Sequence, residues 1–155
     1  MTDFSIQPDD PRRDDVGHLL ERHLAFAVEH TPPGHVHALR LDGLLDPSIS
    51  FFSVRVDCEL VGVGALKELG EGHAELKSMH TAAEWRGRGA GRGLLDHLLE
   101  VARTRGARRV SLETGSMDAF APARALYASA GFEECGPFGD YPESPTSTFM
   151  TLVLS

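Results

Sequence analysis

The sequence is poor in cysteine and has no long apolar run. Its two cysteines, Cys58 and Cys135, match neither a metal-ligand spacing nor the denser cysteine pattern of small secreted disulfide scaffolds. No segment approaches the roughly 20 consecutive apolar residues that cross a bilayer. The first residues, MTDFSIQPDDPRRDD, lack the basic start and apolar stretch of a signal peptide. The sequence therefore predicts a cytoplasmic protein that needs no metal and no membrane.

An excess of positive charge is also lacking. Against 23 Asp and Glu residues stand 15 Lys and Arg residues, which gives a formal net charge of −8 at pH 7. Nucleic acids and anionic membranes are bound through extended basic surfaces, so we expect neither as a partner. An acidic surface is compatible with a cationic substrate such as an amine, although it also serves solubility alone. The length of 155 residues, with 41% hydrophobic and 25% charged residues, predicts one domain spanning residues 1–155.

The apolar periodicity predicts an α/β (α+β) fold with a mixed, mostly antiparallel central sheet flanked by helices. Strands are expected at residues 4–7, 50–56, 59–66, 74–81, 109–113, 132–135 and 149–154. Four helices are expected. The first begins at a cap at Asp14 or Asp15 and ends near Thr31, and the second is a short helix within residues 36–46. The third runs from the glycine cluster to Gly106, and the fourth covers residues 121–130. Only the central strand–helix–strand unit requires a parallel crossover.

The most informative segment is a glycine-rich turn between a strand and a long amphipathic helix. Its residues are Arg86, Gly87, Arg88, Gly89, Ala90, Gly91 and Arg92. Glycines let successive amides point inward, and a helix N-terminus adds unpaired N–H groups and partial positive charge. Because the arginines supply further cationic donors, the turn predicts a phosphate-binding site. It is not a P-loop, since no Gly-Lys-Ser/Thr follows, and it does not open a parallel dinucleotide fold.

This segment resembles the signature of the GCN5-related N-acetyltransferase (GNAT) superfamily, Arg/Gln-x-x-Gly-x-Gly/Ala, with Arg86, Gly89 and Gly91 in the matching positions. The element order fits that fold over nearly the whole chain. The resemblance implies that acetyl-CoA is the co-substrate and that the amides of residues 87–92 hold its pyrophosphate. It also implies that the end of the preceding strand, Met79, His80 and Thr81, pairs with the pantetheine arm and donates an N–H to the thioester carbonyl.

The resemblance further implies an acid and a base. Tyr127, in a helix followed by Gly131 and Phe132, matches the family tyrosine that donates a proton to the departing thiolate; core packing is the alternative. Glu75 matches the position of the base in histone acetyltransferases, although it could instead form a structural ion pair with Lys77, and a water is a further alternative for the base. Phe120 stands where the family often has an Asn that contacts CoA, so that polar contact is absent or replaced.

Acceptor contacts are expected from the neighbouring strand and from the loop before the last strand. Glu113 and Tyr141 are the predicted substrate residues, and loop surface is the alternative for Tyr141. His35 and His37 have no third ligand evident, so the acceptor pocket or solvent is favoured over a metal. The sequence thus predicts direct acetyl transfer from acetyl-CoA to a primary amine of a small molecule or protein. The alternatives are a non-catalytic acyl-CoA-binding regulatory module and a nucleotide-binding protein of unrelated fold. A homodimer is expected from the family alone.

Overall fold

The computed structural model describes residues 3–34 and 41–154, except for the side chain of Asp42. Within these residues the chain forms seven strands and four α-helices. The strands are β1 Ser5–Pro8, β2 Ile49–Val56, β3 Glu59–Gly70, β4 His73–Thr81, β5 Arg109–Gly115, β6 Glu133–Cys135 and β7 Ser147–Val153. The helices are α1 Asp14–His30, α2 Leu41–Leu44, α3 Ala90–Thr104 and α4 Ala121–Ser129, with 3-10 turns at Ala83–Trp85 and Asp118–Phe120.

The strands form one mixed sheet in the order β1-β2-β3-β4-β5-β7-β6. Every neighbouring pair is antiparallel except β4 and β5, which are parallel and connected through α3. This confirms the predicted fold class and the single parallel crossover. The two hairpins follow from the conformation of their turns. Both central residues have positive φ in the turns at Asp57–Cys58 and Glu71–Gly72, which matches the right-handed twist of the flanking strands.

Two hydrophobic cores lie on opposite faces of the sheet. The larger core combines the apolar stripe of α3 with Tyr127 of α4 and with alternate residues of the central strands, including Leu76 and Leu112. The smaller core joins Val16 and Leu19 of α1 to residues of β2 and β3. Burial of α3 by Leu94, Leu95, Leu98, Leu99 and Ala102 confirms the stripe predicted from the sequence. The sheet is therefore covered by α3 and α4 on one face and by α1 on the other.

The start of α1 differs from the prediction. Asp14 and Asp15 lie in the first helical turn and Arg13 occupies the N-cap position, with no side-chain cap. The two carboxylates still favour the helix, because negative charge in the first turn interacts with the helix dipole. Asp15 also forms an ion pair with the buried guanidinium of Arg55 on β2, with 2.7 Å between the Arg55 nitrogen and the Asp15 carboxylate oxygen. The short helix expected within residues 36–46 is represented by α2; residues 35–40 lie outside the described residues.

Candidate active site

A wedge-shaped cavity opens where β4 and β5 part. The parallel pairing of these strands ends at Leu76 and Leu112, whereas β4 continues to Thr81 and β5 to Gly115. Beyond Leu76, the main-chain groups of β4 that face β5 therefore have no strand partner. The cavity has a volume of about 540 Å³ and extends to the start of α3. Such a gap in the middle of a sheet is a place where a ligand can insert and take up strand-like hydrogen bonds.

A β-bulge in β4 lies beside this gap. Lys77 lies opposite Ala65 and His80 lies opposite Val63, so β4 has one residue more than β3 between these pairs. Ser78 in the bulge has a φ of +57°. A non-glycine residue in this left-handed region costs on the order of 1 kcal/mol or more and is found preferentially at functional sites. The bulge thus changes which side chains of β4 face the cavity.

All but one of the predicted site residues line the cavity. They are Glu75, Met79, His80, Thr81, Arg86, Gly87, Gly89, Ala90, Gly91, Arg92, Glu113, Tyr127 and Tyr141. Arg88 is the exception among the predicted residues, since its guanidinium lies over the ring of Trp85, 4.9 Å from the ring centroid. The structure therefore brings together, in one cavity, residues that are spread from Glu75 to Tyr141 in the sequence.

The glycine-rich turn lines the cavity and contains main-chain donors at the start of a helix. Gly89 precedes α3 with φ +92° and ψ 0°, and Gly87 has φ +75°; only glycine adopts this conformation without strain. The amides of Ala90 and Gly91 lie in the first turn of α3, where no intrahelical acceptor is available. Together with the positive end of the helix dipole, such donors suit a phosphate group.

The arginines of the turn have different surroundings. The guanidinium of Arg86 lies 5.6 Å from the ring centroid of Phe26 on α1. Arg92 is held along α3 by Asp96, with Nε 3.0 Å from the carboxylate. Arg86 is thereby positioned beside the cavity from the side of α1. The backbone amides of the turn are fixed by the start of α3, whereas the arginine side chains are held by other contacts.

Glu75 is the centre of a buried polar network. Its side chain is 3% exposed; the Tyr141 hydroxyl donates to Oε2 at 2.5 Å, and Lys77 Nζ donates to the same oxygen at 3.1 Å. Lys77 also donates to the Tyr141 oxygen at 2.7 Å. Burial raises the pKa of Tyr141, and the charge of Glu75 and the hydrogen bond to it raise the pKa further, so Tyr141 stays a donor. Both of these donors bind Oε2 rather than Oε1.

Tyr127 lines the cavity from α4. The residue is 7% exposed, and its ring packs edge-on against Phe132 at 5.9 Å between centroids. Burial raises the pKa of Tyr127, and the negative charge of Glu113 raises it further. The hydroxyl therefore remains protonated at neutral and moderately alkaline pH and is available as a donor.

Aromatic and imidazole rings form the wall of the cavity on the α1 side. The ring of Phe26 contacts Phe120 edge to face, with 5.4 Å between centroids, and is backed by His30 at 4.3 Å. His23 Nδ1 and His80 Nδ1 are 3.3 Å apart, so one nitrogen carries the hydrogen and the other accepts it. Burial lowers the pKa of His23 to about 4, and burial together with nearby positive charge lowers that of His80 to about 3. Both imidazoles are thus neutral near pH 7.

The model of the Acetyltransferase (GNAT) family matches residues 14–132. The chain belongs to this family. It is 47% identical over 149 residues to the uncharacterized N-acetyltransferase YsnE of Bacillus subtilis, covering 96% of this chain and 99% of that protein. It is 34% identical over 155 residues to the IAA acetyltransferase of Azospirillum brasilense, covering 99% and 100%. A Bacillus subtilis acetyltransferase in complex with CoA has the same fold, with a TM-score of 0.74, 17% identity and coverage of 99% and 100%.

Membership of the GNAT family makes the chain an acetyl-CoA-dependent N-acetyltransferase. The predicted resemblance and enzyme class are thereby confirmed. Within residues 3–34 and 41–154 no three His, Cys, Asp or Glu side chains are grouped as metal ligands. His35 and His37 lie outside the described residues. In the same part of the chain, no helix has the length and apolar character to cross a membrane.

Sequence reasoning missed part of this GNAT site. Lys77 was considered only as an alternative partner of Glu75, whereas it anchors both Glu75 and Tyr141. The wall from α1 was not predicted at all. A signal was available, because His23, Phe26, Ala27 and His30 fall at i, i+3, i+4 and i+7 on one helical face. An aromatic face beside the leucine face of α1 indicates that the helix packs against something other than the core.

The histidine pair predicts a loss of stability in acid. A histidine whose pKa is lower in the folded state binds fewer protons there than in the unfolded state, so its stabilisation is complete above about pH 6.5 and declines as the pH falls towards 4. From the pKa of His23, we expect the native protein to lose on the order of 2 kcal/mol between pH 7.5 and pH 5 through this residue. Urea unfolding at both pH values measures the loss.

The variant His23→Gln keeps a polar side chain but cannot titrate, so its free energy of unfolding should fall less between the two pH values. His18→Gln is the matched control, because His18 lies on the same helix and is exposed. Equal pH dependence of the wild type and His23→Gln would show that the buried pair does not govern acid stability.

Proposed function

We propose that this protein transfers an acetyl group from acetyl-CoA directly to a primary amine of a small molecule or protein, within a ternary complex. The observation that supports this proposal is that the glycine-rich turn lines the same cavity as Glu75 and Tyr127. Cofactor binding, proton acceptance and proton donation would then take place in one wedge between β4 and β5. No transfer of the acetyl group to a protein side chain is needed.

Each residue has a defined role in this proposal. Bound acetyl-CoA supplies the thioester carbonyl and the thiol leaving group. Glu75 accepts the ammonium proton of the acceptor through Oε1, directly or by way of a water, while Lys77 and Tyr141 hold Oε2. The unpaired edge of β4 at Met79–Thr81 places main-chain donors where negative charge develops on the carbonyl oxygen. As the new C–N bond is made and the C–S bond breaks, Tyr127, kept protonated by burial and by Glu113, donates to the sulfur. The proton that the nitrogen loses as the amide forms then restores the Tyr127 hydroxyl.

Binding of acetyl-CoA should depend on the left-handed conformation of Gly89. In Gly89→Ala, a Cβ disfavours the φ of +92° by about 1–2 kcal/mol. The free turn then relaxes, and the ligand must restore its geometry, so we expect the Kd for acetyl-CoA to rise about tenfold or more. Isothermal titration calorimetry of the two proteins with acetyl-CoA measures the difference.

Gly17→Ala is the matched control for this experiment. Gly17 lies in α1, and a Cβ built on it meets no atom within 4 Å, so its Kd should equal that of the wild type. Absence of heat on titrating the wild-type protein with acetyl-CoA would overturn the proposed function. Equal affinity of Gly89→Ala and the wild type would remove the turn from the cofactor site.

The remaining parts of the proposal concern the whole protein. We place it in the cytoplasm, as a single domain over residues 1–155 that assembles into a homodimer. Sedimentation equilibrium of the full chain, with and without acetyl-CoA, tests the assembly.

A further inference from the structure

From the walls of the cavity we infer that the acceptor is a monoamine carried on an aromatic body, and that the rings of Phe26 and Phe120, here called the aromatic shelf, bind this body. The inference rests on the proposed acetyl transfer and specifies its substrate class. It concerns the side of the cavity formed by α1 and by the segment after β5, away from the glycine-rich turn.

The aromatic shelf lies in the cavity wall, where a ligand can contact it, and not in the hydrophobic cores. Neither Phe26 nor Phe120 belongs to the two hydrophobic cores of the described residues, and both line the cavity. The Phe120 ring lies directly on Gly115: a Cβ built on that glycine would be 2.3 Å from a ring carbon. The two rings meet edge to face at 5.4 Å, an arrangement that a further ring can extend at favourable distance.

The imidazoles beside the aromatic shelf are neutral near pH 7, whereas the Arg86 guanidinium lies 5.6 Å from the ring centroid of Phe26. His23 and His80 line the cavity beside Phe26, and the ring of His80 lies 6.5 Å from that of Phe26. Hydrogen bonding between the imidazoles satisfies one nitrogen of each. A planar apolar group that packs on the imidazole side of the shelf therefore does not strip water from a charged imidazolium, which would be costly.

The charge at the other end of this space suits a single ammonium group. Among the described residues that line the cavity, the carboxylates are Glu75 and Glu113. Lys77 forms an ion pair with Glu75 at 3.1 Å, and Arg86 and Arg92 also line the cavity, so the cavity already contains cationic side chains. A polyamine would bring several positive charges and find too few carboxylates. A monoamine with an aromatic body can place its ammonium group at Glu75 and its ring on the aromatic shelf.

The test compares three acceptors with the full-length protein, by the initial rate of CoA thiol release: 2-phenylethylamine, spermidine and a lysine-containing peptide. We expect kcat/KM to be at least tenfold higher for 2-phenylethylamine than for either of the others. In Phe26→Leu and Phe120→Leu, the KM for 2-phenylethylamine should rise about tenfold, which corresponds to about 1.4 kcal/mol, while the KM for acetyl-CoA stays unchanged. Val28→Ala is the control, because Val28 lies on α1 and is 58% exposed.

Each outcome bears on the inference. A preference for spermidine or the peptide overturns it, and so does a rise in the KM for acetyl-CoA alone, because the shelf would then contact the pantetheine arm. Calorimetry separates this failure from that of the proposed function: acetyl-CoA binding without turnover of the aromatic amine refutes only the acceptor class, whereas no acetyl-CoA binding refutes the proposed function.

Discussion

Glu75→Gln should lower kcat by about 10²–10³-fold, in the range found when a general base is removed. Glutamine has nearly the same shape and can still accept the hydrogen bonds of Lys77 and Tyr141, but its amide cannot take a proton from an ammonium group. Affinity for acetyl-CoA should be unchanged, since Glu75 lies outside the glycine-rich turn that is proposed to bind its pyrophosphate. Steady-state kinetics with 2-phenylethylamine, or with the best acceptor of the screen, measure kcat.

The alternative role of Glu75, a structural partner of Lys77, requires a separate control. Lys77 is only 10% exposed, and a buried ammonium that loses its carboxylate destabilises a protein by several kcal/mol. In Glu75→Gln/Lys77→Met this buried charge is absent, so the double variant should regain stability and still lack activity. Recovery of kcat together with stability would show that Glu75 is structural. Glu68→Gln, an exposed change on β3, should leave both quantities unchanged.

Local patterns in the sequence predicted the elements of the fold, but tertiary pairing set their ends. The periodicity of α3 and the glycines before it identified the unit β4–α3–β5. The predicted end of β3 at Leu66 was too early, because Lys67 and Glu68 pair with β4. Likewise β5 extends beyond Glu113, because Thr114 and Gly115 pair with β7. From the sequence alone, a polar residue at the end of a strand is assigned to the following loop, because its pairing with a neighbouring strand is not known.

Local sequence predicts one part of the candidate site, and long-range contacts determine the other. The turn around Gly89 could be predicted because its chemistry is local: left-handed residues followed by a helix N-terminus. The contact of Tyr141 with Lys77 joins residues 64 positions apart, and no periodicity in either segment indicates it. Tyr141 was predicted to contact the substrate, and its observed partners are Glu75 and Lys77; direct contact with the acceptor stays a prediction.

Tyr127→Phe should lower kcat by about 10²-fold or more, because the sulfur then leaves without a proton donor. The ring and its packing on Phe132 are retained, so the affinity for acetyl-CoA and the melting temperature should change little. If Tyr127 serves only core packing, which is the alternative, kcat should also change little. Stopped-flow or coupled assays of thiol release, with calorimetry of acetyl-CoA binding, give the two readouts.

The alkaline pH profile provides a second readout of the same role. Burial and the charge of Glu113 raise the pKa of Tyr127 above its ordinary value of 10.0, so the wild-type hydroxyl should still be protonated at pH 10. We therefore expect kcat, measured at saturating acceptor, to show no fall centred at pH 10, and the ratio of wild-type to Tyr127→Phe activity to stay constant up to that pH. If the ratio instead declines towards one near pH 10, Tyr127 ionises like an exposed tyrosine, and its environment cannot hold it as the acid.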